Sequence, residues 1–285
     1  MDKIKSILVR LFAKSKWPTW GDPKRSAMES YEYRLKLYRE IAEILHTYGT
    51  ANFKNFTFTI DDVVKLVEEF IGVFISDKRI VKNDGGSGFS NCLWLFFTVK
   101  VIKPELIVES GVWKGMTTYI LEQAAPDADM YCFDVIFHRR EYKNPKAHYI
   151  KADWSTHDFG TVDKEKSFAF FDCHINHAKR IREAYDRGFR HIIVDDNMPL
   201  HKLYSDGLPP IPTADMLLNE NLEEGTTIKW TWDNIPMQYT FKTEDLYDAK
   251  DLVETCQVFP DLTNVTRFSS LSSGFSFLTY IKLRD

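Results

Sequence analysis

The sequence predicts an α/β fold, a doubly wound and mostly parallel sheet with a helical N-terminal extension. Beyond Pro104, short apolar runs of strand length alternate with amphipathic stretches of helix length, the pattern of linked βαβ units. Before Pro104 the apolar residues follow helical spacing instead. The composition supports a packed core, with 44% hydrophobic and 27% charged residues among 285 and a net charge of only −4. The expected division is a helical cap over residues 1–85 and an α/β domain over 86–285.

At the N-terminus, Ile4, Ile7, Leu8 and Leu11 lie on one helical face, with Lys3, Lys5, Arg10 and Lys14 elsewhere. Such a basic amphipathic helix suits the chain's own domain, a sister subunit, a partner or an anionic membrane surface. Charges interrupt its apolar run and no small-residue cleavage site follows, so a signal peptide is not expected. Residues 17–25 form a loop. A helix over 26–48 carries Tyr31, Leu35, Leu37, Ile41, Ile44 and Leu45, with Gly49 as its stop. A second helix runs from Asp61 through Ile71, a glycine-rich loop covers 83–90, and an apolar helix follows at 91–102. That apolar stretch contains Lys100 and is far shorter than the ~20 residues a membrane span needs.

Strands are expected at 105–109, 129–134, 148–152, 168–172 and 190–195, with helices at 115–124 and 175–188. Residues 198–225 read as a long loop plus a helix. Its proline-rich part, with His201 and Tyr204, is a candidate lid over a ligand site. Two or three further strands fill 226–285.

The mildly acidic total gives no support for a nucleic-acid binder, which usually carries a basic field. Cys92, Cys132, Cys173 and Cys256 form no CxxC, so neither a zinc ribbon nor a disulfide scaffold is indicated, and a reduced, cytoplasmic protein is expected.

The run IVESGVWKGMTT puts Glu109, Gly111 and Gly115 at the turn from the first strand into a helix. Glycines there let backbone approach a ligand, and the helix start offers free N–H groups. An acid two residues before the first glycine would repel a pyrophosphate. It favours a cationic ligand such as the amino and sulfonium groups of S-adenosylmethionine. Further acids stand at the ends of the other strands: Asp134, Asp153, Asp172, Asp195 and Asp196. In an open α/β sheet the ligand lies over those ends. Asp134 suits two ribose hydroxyls, while Asp153 and Trp154 suit an adenine amino group and its ring face. Each acid has a bland reading as a helix cap. Together they point to an adenosine-type ligand.

Asp172, Asp195 and Asp196, at the ends of adjacent strands, would hold a hard divalent cation such as Mg²⁺ or Ca²⁺. That cation would lower the pKa of a substrate hydroxyl and orient it. His174 and His177 follow Asp172, and either serves as the general base or packs structurally.

With these residues in place, the region 86–197 resembles class I S-adenosylmethionine-dependent methyltransferases, whose sheet is Rossmann-like. The similarity rests on VESGVWKG as the glycine-rich motif and on FDV at 133–135 as the acidic second-strand motif. It is nearest the metal-assisted small-molecule O-methyltransferases of the cephalosporin-hydroxylase-like and macrolide-sugar branch. The resemblance implies S-adenosylmethionine bound by Glu109, Gly111, Trp113, Gly115 and Thr117, with Asp134, Asp153 and Trp154 on the nucleoside. It implies Mg²⁺ on Asp172, Asp195 and Asp196, and catalysis by Asp172 with His174 or His177. The acceptor would be a small hydroxylated molecule, a sugar among the candidates, with Trp113 also near it. Cys173 departs from the pattern of a group of bacterial relatives with Asp-Asp-His at this place. Two alternatives stand beside this reading: a binding module or scaffold without turnover, and a nucleotide-sugar or NAD enzyme. A homodimer is the default assembly on base rates.

Overall fold

The computed structural model describes residues 31–76, 86–203, 208–232, 234–246, 248–266 and 276–285. The expected basic helix at 1–16, the loop at 17–25, the start of the following helix, residues 83–85 and Tyr204 lie outside the described residues.

Helix α1 (Tyr31–Asn52) continues past Gly49, where the sequence predicts a stop. The missing side chain admits the Phe56 ring, whose nearest atom would lie 2.6 Å from a Cβ at Gly49. Helix α2 (Ile60–Ser76) opens with a reciprocal cap. Asp62 accepts the Thr59 N–H at 3.0 Å, and the Thr59 hydroxyl accepts the Asp62 N–H at 3.2 Å. Its buried face, Val63, Leu66, Val67, Phe70 and Ile71, has the helical period. Helix α3 (Phe89–Ile102) is buried on every side from Phe89 to Val99, which is why its sequence shows no polar stripe.

The chain then winds the sheet: β1 (Leu106–Ser110), α4 (Met116–Ala124), β2 (Asp129–Phe133), β3 (His148–Ile150), β4 (Ser167–Phe171), α5 (His177–Asp186) and β5 (His191–Val194). There follow α6 (Ala214–Asn219), β6 (Thr227–Trp232), β7 (Ile235–Thr240), α7 (Thr243–Leu246), α8 (Asp248–Asp251), β8 (Val253–Val258), α9 (Thr263–Thr266) and β9 (Thr279–Leu283). Seven strands form one sheet in the order β3-β2-β1-β4-β5-β9-β8. The first five are parallel, and β9 runs antiparallel to both β5 and β8. β6 and β7 make a separate antiparallel hairpin. So four strands occupy the C-terminal region among the described residues, where the sequence suggests two or three.

Strand alternation sends side chains to two cores. Ile107, Cys132, Phe168, Phe170 and Ile193 pack under α1–α4. Val108, Phe133, Ala169, Phe171, Ile192 and Val194 pack under α5 and α6 on the opposite face. The sheet is doubly wound, and α1 and α2 share the first of these cores. Strand order reverses between β1 and β4, which opens a crevice at their carboxyl ends. Among the described residues no helix is long and apolar enough to cross a membrane.

Candidate functional site

A cavity of about 1010 Å³ lies over that switch point. It reaches the upper end of the range for ligand sites. Gly111, Trp113, Asp134, Asp153, Asp172 and His174 line it, together with Asp195 and Asp196.

The glycine turn is shaped by close approach. Gly111 has φ +97°, and a Cβ there would lie 2.2 Å from the Asp172 carbonyl oxygen, so only glycine lets the β1 and β4 ends touch. Gly115 has φ +87° at the start of α4 and fits against the Tyr142 carbonyl; it does not line the cavity. Asp134 holds the turn: one oxygen accepts the N–H groups of Val112 and Trp113 at 2.9 and 3.2 Å, the other that of Ile136 at 2.9 Å. Trp113 is exposed at the cavity, with the Arg139 guanidinium 4.9 Å over its ring.

Glu109 corrects the expectation placed on it. The alternation of β1 turns it away from the cavity and under α4, where it is fully buried and takes hydrogen bonds from the Thr117 and Thr118 hydroxyls. Burial pushes its carboxyl up to about 7 against the lowering effect of those bonds. Thr117 is used up in this contact and is likewise absent from the cavity wall.

Asp153 faces the cavity, and the buried Arg180 grips it through two bonds at 3.0 and 2.6 Å. Burial would raise this carboxyl, but the bonds from Arg180 and Ser155 outweigh it and hold it below the ordinary range. Trp154 does not reach the ligand space. It is buried against Phe171 and Phe189, and its indole N–H donates to Glu183 at 3.2 Å.

At the other end, Asp172, His174 and Asp196 bring three donor atoms within 4.8 Å of one another. His174 Nδ1 lies 3.5 Å from Asp196. No Lys or Arg pairs with Asp172, Asp195 or Asp196 among the described residues. Burial, then mutual repulsion, raises Asp172 well above the ordinary carboxylate value. Two carboxylates and an imidazole, gathered without a countercharge, fit a divalent cation. The imidazole widens the choice from Mg²⁺ toward Mn²⁺, Fe²⁺ or Zn²⁺.

Asp195 lies outside that trio, although the sequence assigns it to the metal. Its carboxylate accepts from Ser276 and from the Asp196 N–H and faces the Asn91 amide at 3.4 Å, and burial raises it to about 7. His177 is also misassigned as a candidate base. It is buried at the start of α5, its Nδ1 accepts the Ala214 N–H at 3.1 Å, and burial pulls its pKa down to about 3. It ties α5 to α6 as a neutral ring.

Sequence reasoning missed Asn91, Arg180, Met198, Trp232 and Phe277, all on the cavity wall. Asn91 and Arg180 make pairings that cross the fold, which no local spacing marks. His201 is exposed and not on the wall, while residues 209–213, in the stretch expected to be a lid, are buried. Six non-glycine residues among those described have positive φ, and Trp113, His174, Asp196 and Phe277, four of them, line this cavity. Such conformations cost about 1–3 kcal/mol each and collect at functional sites.

No family model and no curated protein matches this chain. Solved structures give partial overlaps. One described as "cmcI-N160 SAH" has a TM-score of 0.35 and 15% identity, covering 41% of this chain and 64% of the other, so the chain spans less than two thirds of it. An SAH-bound methyltransferase from Podospora anserina, PaMTH1, has a TM-score of 0.38 and 14% identity over 86% of this chain and 96% of the other. An O-methyltransferase from Bacillus cereus in complex with SAH has a TM-score of 0.38 and 13% identity over 68% and 94%.

Proposed function

We propose that the chain transfers a methyl group from S-adenosylmethionine to a hydroxyl of a small molecule, assisted by a divalent cation. The observation that carries the reading is the division of one cavity over the switch point. A glycine turn, Asp134 and Asp153 stand on one side, and Asp172, His174 and Asp196 on the other. The backbone of Ser110, Gly111 and Trp113 receives the amino-acid part of the cofactor. Asp134 keeps acceptor capacity for one ribose hydroxyl, because a carboxylate takes about four hydrogen bonds and the chain uses three. Asp153 already accepts four bonds from Ser155 and Arg180, so it fixes the wall of the adenine end and an adenine amino group reaches it only in exchange for one of them.

Asp172 and Asp196 hold the cation. When bound, it lowers the pKa of the acceptor hydroxyl and orients it. His174 either completes the donor set or takes the hydroxyl proton on Nε2 while Asp196 orients the ring through Nδ1. Alignment of oxygen, methyl carbon and sulfur supplies much of the rate.

Calorimetry with S-adenosylmethionine and S-adenosylhomocysteine, with and without Mg²⁺ or Mn²⁺, tests the reading. Micromolar binding of either nucleoside is expected, and binding of neither overturns it. In His174→Ala, lost cation binding assigns the ring as a ligand, whereas retained cation binding with lost turnover assigns it as the base. A second reading, a cofactor-binding scaffold without turnover, is favoured by Cys173. Its sulfur accepts from Arg180 Nε and Nη2 at 3.3 and 3.2 Å. Cofactor binding without methyl transfer to any hydroxylated acceptor would select it.

A further inference from the structure

The apolar wall of the cavity carries information about the acceptor, and this step rests on the methyl-transfer reading. Eight large apolar side chains are exposed among the described residues, and five of them line this one cavity. Exposed apolar residues are normally scattered, and their concentration in a concave site marks a ligand surface. Trp113, Val135 and Ile136 stand after β1 and β2, beside Asp134 on the nucleoside side. Leu208 and Trp232 come from the segment after β5 and from the β6–β7 hairpin and line the same cavity, while Met198 and Phe277 stand beside Asp196 and the Asp195–Ser276 pair.

Among the described residues, polar groups on the acid–imidazole side are few. Asn91, Ser276 and Asp195 bond one another. That leaves Asp172, His174 and Asp196, the groups at the reacting centre. A sugar carries hydroxyls around its whole ring, and each one buried without a partner costs affinity. One Trp face can stack on a pyranose, but a wall that continues as Leu208, Met198 and Phe277 gives its hydroxyls nothing to bond.

We infer that the acceptor carries its reacting hydroxyl on a flat, mostly apolar aromatic body that lies against Trp232, and that the β6–β7 hairpin sets acceptor specificity. Trp232 is 43% exposed and Ile235, its cross-strand partner, 54%. An aromatic ring in the cavity covers the exposed face of Trp232 and meets it in an offset or edge-on contact. Its oxygen alone then faces the acid–imidazole cluster. The hairpin lies outside the main sheet, so its tip residues answer to the ligand and not to the core.

The test is calorimetry on the full chain saturated with S-adenosylhomocysteine and Mn²⁺, using 2-naphthol and methyl α-D-glucopyranoside as probes. 2-Naphthol is expected to bind at least about tenfold more tightly than the glycoside. Trp232→Ala should weaken 2-naphthol about tenfold, Trp232→Phe should retain most of its affinity, and S-adenosylhomocysteine binding should be the same in all three proteins. A glycoside bound as tightly as 2-naphthol overturns the assignment, as does a Trp232→Ala variant that binds 2-naphthol like the unaltered chain. If sedimentation shows a dimer that Trp232→Ala dissociates, the wall belongs to a second copy and the assignment falls. If the unaltered chain binds no S-adenosylhomocysteine, the methyl-transfer reading falls and takes the acceptor with it. If that nucleoside binds and 2-naphthol does not, the acceptor assignment alone is lost.

Discussion

Glu109 lies wholly out of water, its oxygens taken by Thr117 and Thr118. Burial lifts its carboxyl from 4.5 to about 7, so the folded chain holds this proton more tightly than the unfolded chain does. The stability tied to that proton is therefore complete below about pH 4.5 and is lost as pH rises through about 7, a difference of about 3 kcal/mol. Urea denaturation at pH 5 and pH 8 should show the unaltered protein weakening with pH and Glu109→Gln weakening less. Identical losses in both proteins would show that Glu109 stays in one protonation state. The same residue shows how far the sequence could be read. An acid beside a glycine turn is visible in the chain, but the face it takes is not.

Helix α5 carries the buried ion pairs of the site. Arg180 has a side chain only 1% exposed and reaches both Asp153 and Glu183 at 2.6 Å. Removing one partner of a buried pair strands the others, at about 3–5 kcal/mol. Asp153 is 32% exposed, which puts the expected loss for Arg180→Met near the lower end, about 3 kcal/mol. Chemical denaturation reads this directly, and a loss below about 1 kcal/mol would show the network to be neutral. The helix itself was foreseeable. Ala178, Ile181 and Ala184 give its apolar face, and Asn176 caps it by accepting the Lys179 N–H at 2.7 Å. The reach of Arg180 across 27 residues to Asp153 was not, because only the packing of α5 beside the β3 end brings them together.

At the scale of the molecule, the sheet gathers acids from β4 and β5 without a neutralising Lys or Arg among the described residues. A cation that binds the folded state alone stabilises it by mass action, about 2.7 kcal/mol at one hundred times its dissociation constant. Mn²⁺ should therefore raise the melting temperature of the unaltered chain and leave a chain with Asp172→Asn and Asp196→Asn unmoved. An equal rise in both would place the cation elsewhere. The net charge of −4 is too small to mimic this by general attraction.

The places of the core strands along the chain were determined by the sequence itself, because strands buried on both faces must be apolar along their length. Acids at the strand ends followed from the same rule, since the apolar run stops where the crevice begins. Tertiary structure decided which acids serve the cavity. A one-residue alternation hides Glu109 and puts Ser110 on the cavity wall, and left-handed turns at His174 and Asp196 bring those two together while Asp195 turns toward Asn91 and Ser276. The β6–β7 hairpin was equally hidden, because its exposed strands carry no core-facing alternation to announce them. Local periodicity encodes what each segment must bury. Which side chains meet over the switch point depends on strand register and on segments far apart in the chain, and no spacing within one segment contains that.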